Sequence, residues 1–272
     1  MGATVWAVIA GGGTAGHVSP GLAIAEEIVR RGTPREAVQW IGSARGLEAR
    51  LVPEAGFVLL ALPGRGIQRR LTTKNLTSIF GLLVAIGRAT ISFARNRPAV
   101  LVALGGYASV PGVIAAIVWR IPIVLTEQNA VPSAANRLAA RFAKASAVPF
   151  PDSAMPNATW TGNPVRPEIC AVDRSSQRVD ARARLGFTPE RTLLLVMGGS
   201  LGARRINHAL FDALPAWTDR TDLAVHHIAG ERDHDELAGR VPLPPDAALD
   251  YRLVRYESDM AQNPPGRRAP QP

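Results

Sequence analysis

The stretch Val5-Trp6-Ala7-Val8-Ile9-Ala10-Gly11-Gly12-Gly13-Thr14-Ala15-Gly16-His17 decides the fold. Its first six residues are apolar without interruption, the pattern of a strand buried on both faces. Residues 11–16 form a glycine loop, and residues 21–31 read as a helix. Strand, glycine loop and helix open a Rossmann-like unit, in which loop amides and a helix N-terminus can face a phosphate. The alternation continues outward. Strands are predicted over 38–41, 58–62, 99–104 and 121–125, and helices over 46–55, 76–95, 110–119 and 134–142. Residues 147–165, with four prolines, read as irregular and as the end of a first domain. A second unit follows: a charged connection over 174–184, a strand over 192–197, a glycine loop over 198–202, a helix over 203–214, a strand over 223–227 and a further strand over 251–256. Such alternation predicts an α/β protein with parallel sheets. Its domains are residues 1–166 and 167–260, both Rossmann-like, the second incomplete, with an atypical tail over 261–272.

Composition narrows the function. With 47% hydrophobic and 19% charged residues over 272 positions, the chain is too apolar to be disordered. One cysteine, Cys170, excludes a disulfide framework and a Cys-rich metal site. The net charge of +9 is uneven: residues 1–100 carry +7, 101–200 carry +4 and 201–272 carry −2. That surplus suits an anionic partner, whether nucleic acid, a membrane surface or a phosphorylated substrate. The start lacks a basic n-region and runs straight into a strand, so no signal peptide is expected. Residues 98–119 hold no charge, yet Gly105-Gly106 and Pro111-Gly112 break the run, and a buried strand, a loop and a helix fit it better than a membrane span.

Both glycine loops invite several readings. The first satisfies G-x-G-x-x-G, but strand two ends in Trp40-Ile41-Gly42-Ser43-Ala44-Arg45, without the acid that holds a nicotinamide dinucleotide's ribose. Only Arg45, toward a 2′-phosphate, keeps that reading open. His17 follows the loop directly and suits acid–base work, or else merely caps the helix. Gly198-Gly199-Ser200-Leu201-Gly202 also matches a nucleophile elbow, with Asp222 and His227 downstream as partners for a serine hydrolase. His226, His227 and His234, with Glu231 and Asp235, match no familiar metal-ligand spacing, so no metal is expected.

Residues 12–23, Gly12-Gly13-Thr14-Ala15-Gly16-His17-Val18-Ser19-Pro20-Gly21-Leu22-Ala23, resemble the N-terminal signature of the MurG family of glycosyltransferases. Further matches come in the family's order: Gly105-Gly106-Tyr107, Glu127-Gln128-Asn129, Gly162-Asn163-Pro164-Val165-Arg166, Gly198-Gly199-Ser200-Leu201-Gly202-Ala203 and, more loosely, residues 256–260. The resemblance implies a B-type glycosyltransferase with its ligand cleft between two Rossmann-like domains. It implies inverting transfer of N-acetylglucosamine from UDP-N-acetylglucosamine to undecaprenyl-linked lipid I, giving lipid II for peptidoglycan, with no cofactor. Thr14, Ala15, Gly16, Asn129, Arg166 and Ser200 would bind the donor. Ala15 stands where glycine is usual, which matters if that position needs a positive φ. His17 is the candidate base, or else orients the reacting phosphates or hydroxyl. Glu127 is the rival base, or holds a loop.

Residues 76–86 form an apolar helix start, with Arg65, Arg69, Arg70 and Lys74 before it and Arg88, Arg95 and Arg97 after. Ile79, Leu83 and Ile86 are expected to face the core, with Phe80, Val84 and Ile91 widening the apolar surface. Basic flanks on an apolar patch suit an anionic lipid interface, and an ordinary buried helix explains them too. The resemblance favours a peripheral protein at the cytoplasmic membrane face; nucleic acid is not expected, because the basic cluster lacks interleaved aromatics. Residues 261–272 resemble nothing in the family's continuation, so weak or absent transfer is expected of this chain. The alternatives are a non-catalytic membrane- or acceptor-binding remnant and a hydrolase using Ser200.

Overall fold

The computed structural model describes residues 4–63, 73–199 and 202–257. The chain divides into two units, Met1–Pro167 and Glu168–Pro272. In the first, seven strands pair in parallel among the described residues: β1 (Ala7–Ala10), β2 (Val38–Ser43), β3 (Val58–Leu62), β4 (Val100–Ala103), β5 (Ile123–Thr126), β6 (Ala145–Val148) and β7 (Ala158–Trp160). Their order is β3-β2-β1-β4-β5-β6-β7, so the sheet winds outward in both directions from the β1–β4 pair. Alternate residues of one strand serve opposite faces. Val8, Ala10, Leu101 and Ala103 belong to one apolar cluster, and Ile9, Val102 and Leu104 to the other. The first cluster is covered by α3 (Thr73–Arg95) and α4 (Val110–Val118), and the second by α1 (Ala15–Arg30) and α2 (Glu48–Glu54). Each buried aliphatic side chain contributes about 1.5–3 kcal/mol. A short α5 (Ala134–Ala139) packs beside β5.

Besides β6, which the sequence reading leaves without a strand, three elements of the first unit depart from that reading. α1 begins at Ala15 rather than residue 21, despite Gly16, Pro20 and Gly21, because Val18, Ala23 and Ala25 bury its inner face and outweigh poor helix propensity. β7 lies in the stretch read as irregular; three exposed residues between prolines give no periodic signal, and only pairing with β6 makes them a strand. The third is α3. Its core-facing residues are Ala85, Ala89 and Phe93, spaced four apart, whereas Ile79 (50% exposed) and Leu83 (61%) face outward. Ala85 and Ala89 let the middle of α3 lie close to α4 and the sheet, Phe93 fills the core further along, and Ile79 and Leu83 are left outside. Residues 98–119 hold β4 and α4, as read.

The second unit contains α6 (Pro167–Cys170) at its junction, α7 (Arg174–Arg184), α8 (Arg204–Ala213), α9 (His234–Ala238) and the strands β8 (Thr192–Met197), β9 (Leu223–Ile228) and β10 (Asp250–Val254). Its described strands form a parallel sheet in the order β10-β9-β8. Leu210, Phe211, Leu214, Val225 and Leu237 fill its core. The charged connection expected over 174–184 is α7. It is a helix capped by Asp173, which accepts the Ser175 amide at 2.9 Å, and it buries Arg182 rather than an apolar stripe. The Arg182 guanidinium donates to the carbonyls of Thr188, Pro189 and Arg191, a role no hydrophobic pattern announces.

Candidate active site

The sheet of the first unit changes direction between β1 and β4, and loops leaving the C-terminal ends of these strands open a crevice there. The first glycine loop leaves β1 and the Gly105-Gly106 turn leaves β4. Trp40 on β2 steadies the first loop, donating its indole N–H to the Gly11 carbonyl at 2.8 Å. Thr14 is the N-cap of α1 in extended conformation. Ala15, Gly16 and His17 form the first helical turn, so Ala15 has an ordinary helical backbone and needs no glycine. The Thr14 hydroxyl lies 3.2 Å from His17 Nδ1. Across the crevice is Gly106, at φ +72°, where a Cβ would stand 3.5 Å from His17 Cε1. Burial holds the His17 pKa below its ordinary 6.5, while Glu127 and Glu48 pull it back upward.

Glu127 follows β5 and is 2% exposed. Five donors surround its carboxylate: the amides of Gln128 (3.0 Å), Asn129 (3.0 Å) and Ser133 (2.8 Å), and the side-chain amides of Asn129 (2.8 Å) and Asn136 (3.0 Å). Burial alone would raise its pKa, but these donors hold it below the ordinary carboxylate value. A carboxylate so engaged is a poor proton acceptor and a good loop anchor. It ties the Asn129 side chain to α5. Asn163 donates to the Gln128 carbonyl at 3.3 Å, which joins the Gly162-Asn163 segment to the same loop. Arg166 beyond it is half-buried, and no hydrogen bond or ion pair links it to Thr14, His17 or Asn129 among the described residues. Ser200 and Leu201 lie outside the described residues, as do Arg65, Arg69, Arg70, the Lys74 side chain and residues 258–272.

Sequence reading missed Glu48 entirely. Its fully buried carboxylate accepts the Gly13 and Ser43 amides, each at 2.7 Å. The Gly13 N–H, read as a phosphate donor, is therefore already spent inside the protein. Glu48 sits on α2 and carries no motif; only its isolation among glycines in the folded state reveals it.

In the second unit Asn207 on α8 holds β9 and the segment that follows it. Asn207 donates to the Ala229 carbonyl (2.9 Å) and to Asp233 (3.1 Å), and its oxygen meets His227 Nε2 at 3.0 Å. His227 Nδ1 meets the Tyr251 hydroxyl at 2.9 Å. Arg204 and Arg232 both pair with Asp233 and hold its carboxyl well below the usual range, chiefly through Arg232. This corrects the hydrolase alternative. His227 is fully buried with both ring nitrogens engaged, so neither nitrogen is available to activate a nucleophile. Asp222 precedes β9, at the opposite end of the strands from the glycine loop, and is paired with Arg220 at 2.6 Å. Among the described residues, no group of three or more His, Cys, Asp or Glu could hold a metal ion.

Fold and site together define the class: a glycosyltransferase of the B type, built from two Rossmann-like units. Residues 7–148 match the glycosyltransferase family 28 N-terminal domain, and residues 193–263 match the glycosyltransferase family 28 C-terminal domain. The chain belongs to glycosyltransferase family 28, and within it to the MurG group. It is 42% identical to the UDP-N-acetylglucosamine–N-acetylmuramyl-(pentapeptide) pyrophosphoryl-undecaprenol N-acetylglucosamine transferase of Nocardioides sp., over 92% of this chain and 67% of that protein. The Streptomyces coelicolor protein of the same name is 38% identical, over 92% of this chain and 69% of its own length. The crystal structure of Acinetobacter baumannii MurG superposes with a TM-score of 0.61 at 26% identity, covering 94% of this chain and 69% of that one. Anabaena HepE, solved with UDP and glucose, shares the fold at a TM-score of 0.61 and 14% identity, over 94% of this chain and 70% of its own. The chain thus spans about two thirds of the length of these relatives.

Proposed function

We propose that this chain transfers N-acetylglucosamine from UDP-N-acetylglucosamine to the lipid-linked muramyl-pentapeptide, inverting the anomeric centre, a reading that sets aside the weak or absent transfer expected from residues 261–272. The observation that carries this reading is His17, kept neutral by burial at the switch point of the sheet, between the β1 loop and Gly106. With Nδ1–H donating to the Thr14 hydroxyl oxygen, Nε2 is left as an acceptor for the proton of the attacking sugar hydroxyl. Removing that proton as the C1–O bond to UDP breaks yields the new glycosidic bond and UDP. Thr14, Ala15, Gly16 and Asn129 face the donor sugar and nucleotide in this reading. Arg166, half-buried and without an ion-pair partner among the described residues, offsets charge on the leaving pyrophosphate, together with Ser200.

The acceptor carries an undecaprenyl chain, so the enzyme works at a lipid surface. Support comes from α3, where Ile79, Phe80 (70% exposed), Leu83 and Ile91 form an outward apolar stripe, with Arg88 and Arg95 exposed on the same helix. Apolar side chains flanked by cations insert at the headgroup level of an anionic leaflet. Residues 78–95 are long and apolar enough to cross a membrane by composition, but Ala85, Ala89 and Phe93 belong to the core of the first unit. We therefore assign the chain to the cytoplasmic membrane face as a peripheral protein.

The test is transfer of radiolabelled N-acetylglucosamine from its UDP donor into vesicles bearing the lipid acceptor, by the purified chain and by His17→Ala. Incorporation that falls about 100-fold or more in His17→Ala supports the reading. Vesicle binding without incorporation overturns it in favour of a binding protein.

A further inference from the structure

Glu48 has a chamber to itself. A Cβ on Gly12 would come 2.0 Å from its carboxyl carbon, one on Gly46 would come 2.1 Å from Oε2, and one on Gly42 would come 2.6 Å from its Cγ. Two segments, the loop after β1 and the turn from β2 into α2, are thus stripped of side chains around one fully buried carboxylate. Its two oxygens divide their work: Oε2 takes the Gly13 amide beyond β1 and Oε1 takes the Ser43 amide at the end of β2. An apolar side chain of the same volume would fill this space at lower desolvation cost. What the carboxylate adds is a fixed acceptor for two loop amides, through short charge-assisted bonds.

We infer that Glu48 is a positioning residue for the transfer reaction: its carboxylate pins the Gly13 and Ser43 amides, and so fixes the turn that carries Thr14 and His17. This rests on the transferase reading of the same site. It also gives the first glycine loop a different job from the phosphate cradle its pattern suggests. The Gly13 amide is committed to an internal anion, and a second anion brought to the same amide would meet the Glu48 charge. The loop presents a histidine rather than gripping a phosphate. Among the described residues, the charged groups that face His17 are Glu127, from the end of β5, and Glu48, from α2.

The experiment compares the wild-type chain with Glu48→Gln and Glu48→Asp, using three readouts: the NMR titration of the His17 imidazole, assigned with His17→Gln; the Gly13 amide resonance; and sugar transfer on vesicles. Glu48→Gln removes a nearby negative charge and one acceptor. The His17 midpoint should move to lower pH, the Gly13 amide should shift upfield, and kcat should fall about 100-fold, with the KM for the sugar donor held within about threefold. Glu48→Asp keeps the charge on a shorter arm and should recover part of the rate. A folded Glu48→Gln whose His17 midpoint and Gly13 amide match the wild type overturns the inference. Should that variant not fold, Glu48→Asp decides: an unmoved Gly13 amide with full kcat overturns it equally. A wild-type chain that transfers no sugar sinks the transferase reading instead, and the titration still decides whether Glu48 holds His17.

Discussion

His17 and Gly106, eighty-nine positions apart, meet across the crevice between β1 and β4, so that a methyl group on Gly106 would touch the imidazole at 3.5 Å. Gly106 also holds φ at +72° with ψ at 174°, a conformation nearly confined to glycine that costs other L-residues about 1–3 kcal/mol. Gly106→Ala should therefore lower stability by about 1–3 kcal/mol in urea titration. It should also slow sugar transfer by more than the unfolded fraction explains, because relaxing that backbone strain shifts the turn that meets His17 across the crevice. Unchanged stability together with a full transfer rate would contradict both arguments.

Glu127 is an anchor in this structure, and the anchor role has a thermodynamic signature. In Glu127→Gln an NH2 group replaces an oxygen that now accepts from Ser133 and Asn136, or the oxygen that accepts from Gln128 and Asn129. At least one buried donor loses its acceptor, at a cost of about 1–3 kcal/mol. Chemical denaturation should register that loss alongside any fall in transfer. Loss of transfer at wild-type stability would instead make Glu127 the base.

His227 predicts how stability responds to acid. Burial, with a smaller effect from the charge of His226, lowers its pKa from 6.5 to about 4. Above pH 6.5 the ring is neutral in folded and unfolded chains alike, and stability is complete. As pH falls from 6.5 toward 4 the unfolded chain gains a proton that the folded chain refuses, so folding weakens, by on the order of 3 kcal/mol at full extent. Urea midpoints measured at pH 7 and pH 5 should differ accordingly, and His227→Gln, which can still donate and accept, should flatten the difference. An equally steep dependence in that variant would show that other groups carry it.

The exposed stripe on α3 can be tested apart from chemistry. Phe80→Ser and Leu83→Ser remove side chains that are 70% and 61% exposed, so the melting temperature should stay within a degree or two of wild type. Each side chain buried in a lipid interface contributes about 2 kcal/mol, so each substitution should weaken binding to anionic vesicles about tenfold or more. Co-sedimentation at wild-type affinity would remove α3 from the membrane contact.

Much of the fold was legible without coordinates because its signals are local. The strands 7–10, 100–103 and 192–197 are apolar runs followed by glycine turns, and such runs alternating with helices admit few arrangements besides parallel sheets. The ordered motifs around Gly12, Gly105, Glu127, Gly162 and Gly198 are likewise contiguous, which is why the glycosyltransferase class could be read directly. Short edges were less visible: β7 has three residues, none buried, and exists only through its pairing with β6.

The amino-acid order by itself determined the succession of strands, glycine loops and helices, and placed His17 at the mouth of the first loop. Only the tertiary structure decided what surrounds that histidine. It set Gly106 opposite, closed five donors on Glu127, buried Glu48 among three glycines and turned Ile79 and Leu83 outward. The reason is physical. Strand and loop preferences act over a few neighbouring residues, whereas burial, charge pairing and the facing of a helix depend on segments that meet only when the sheet closes.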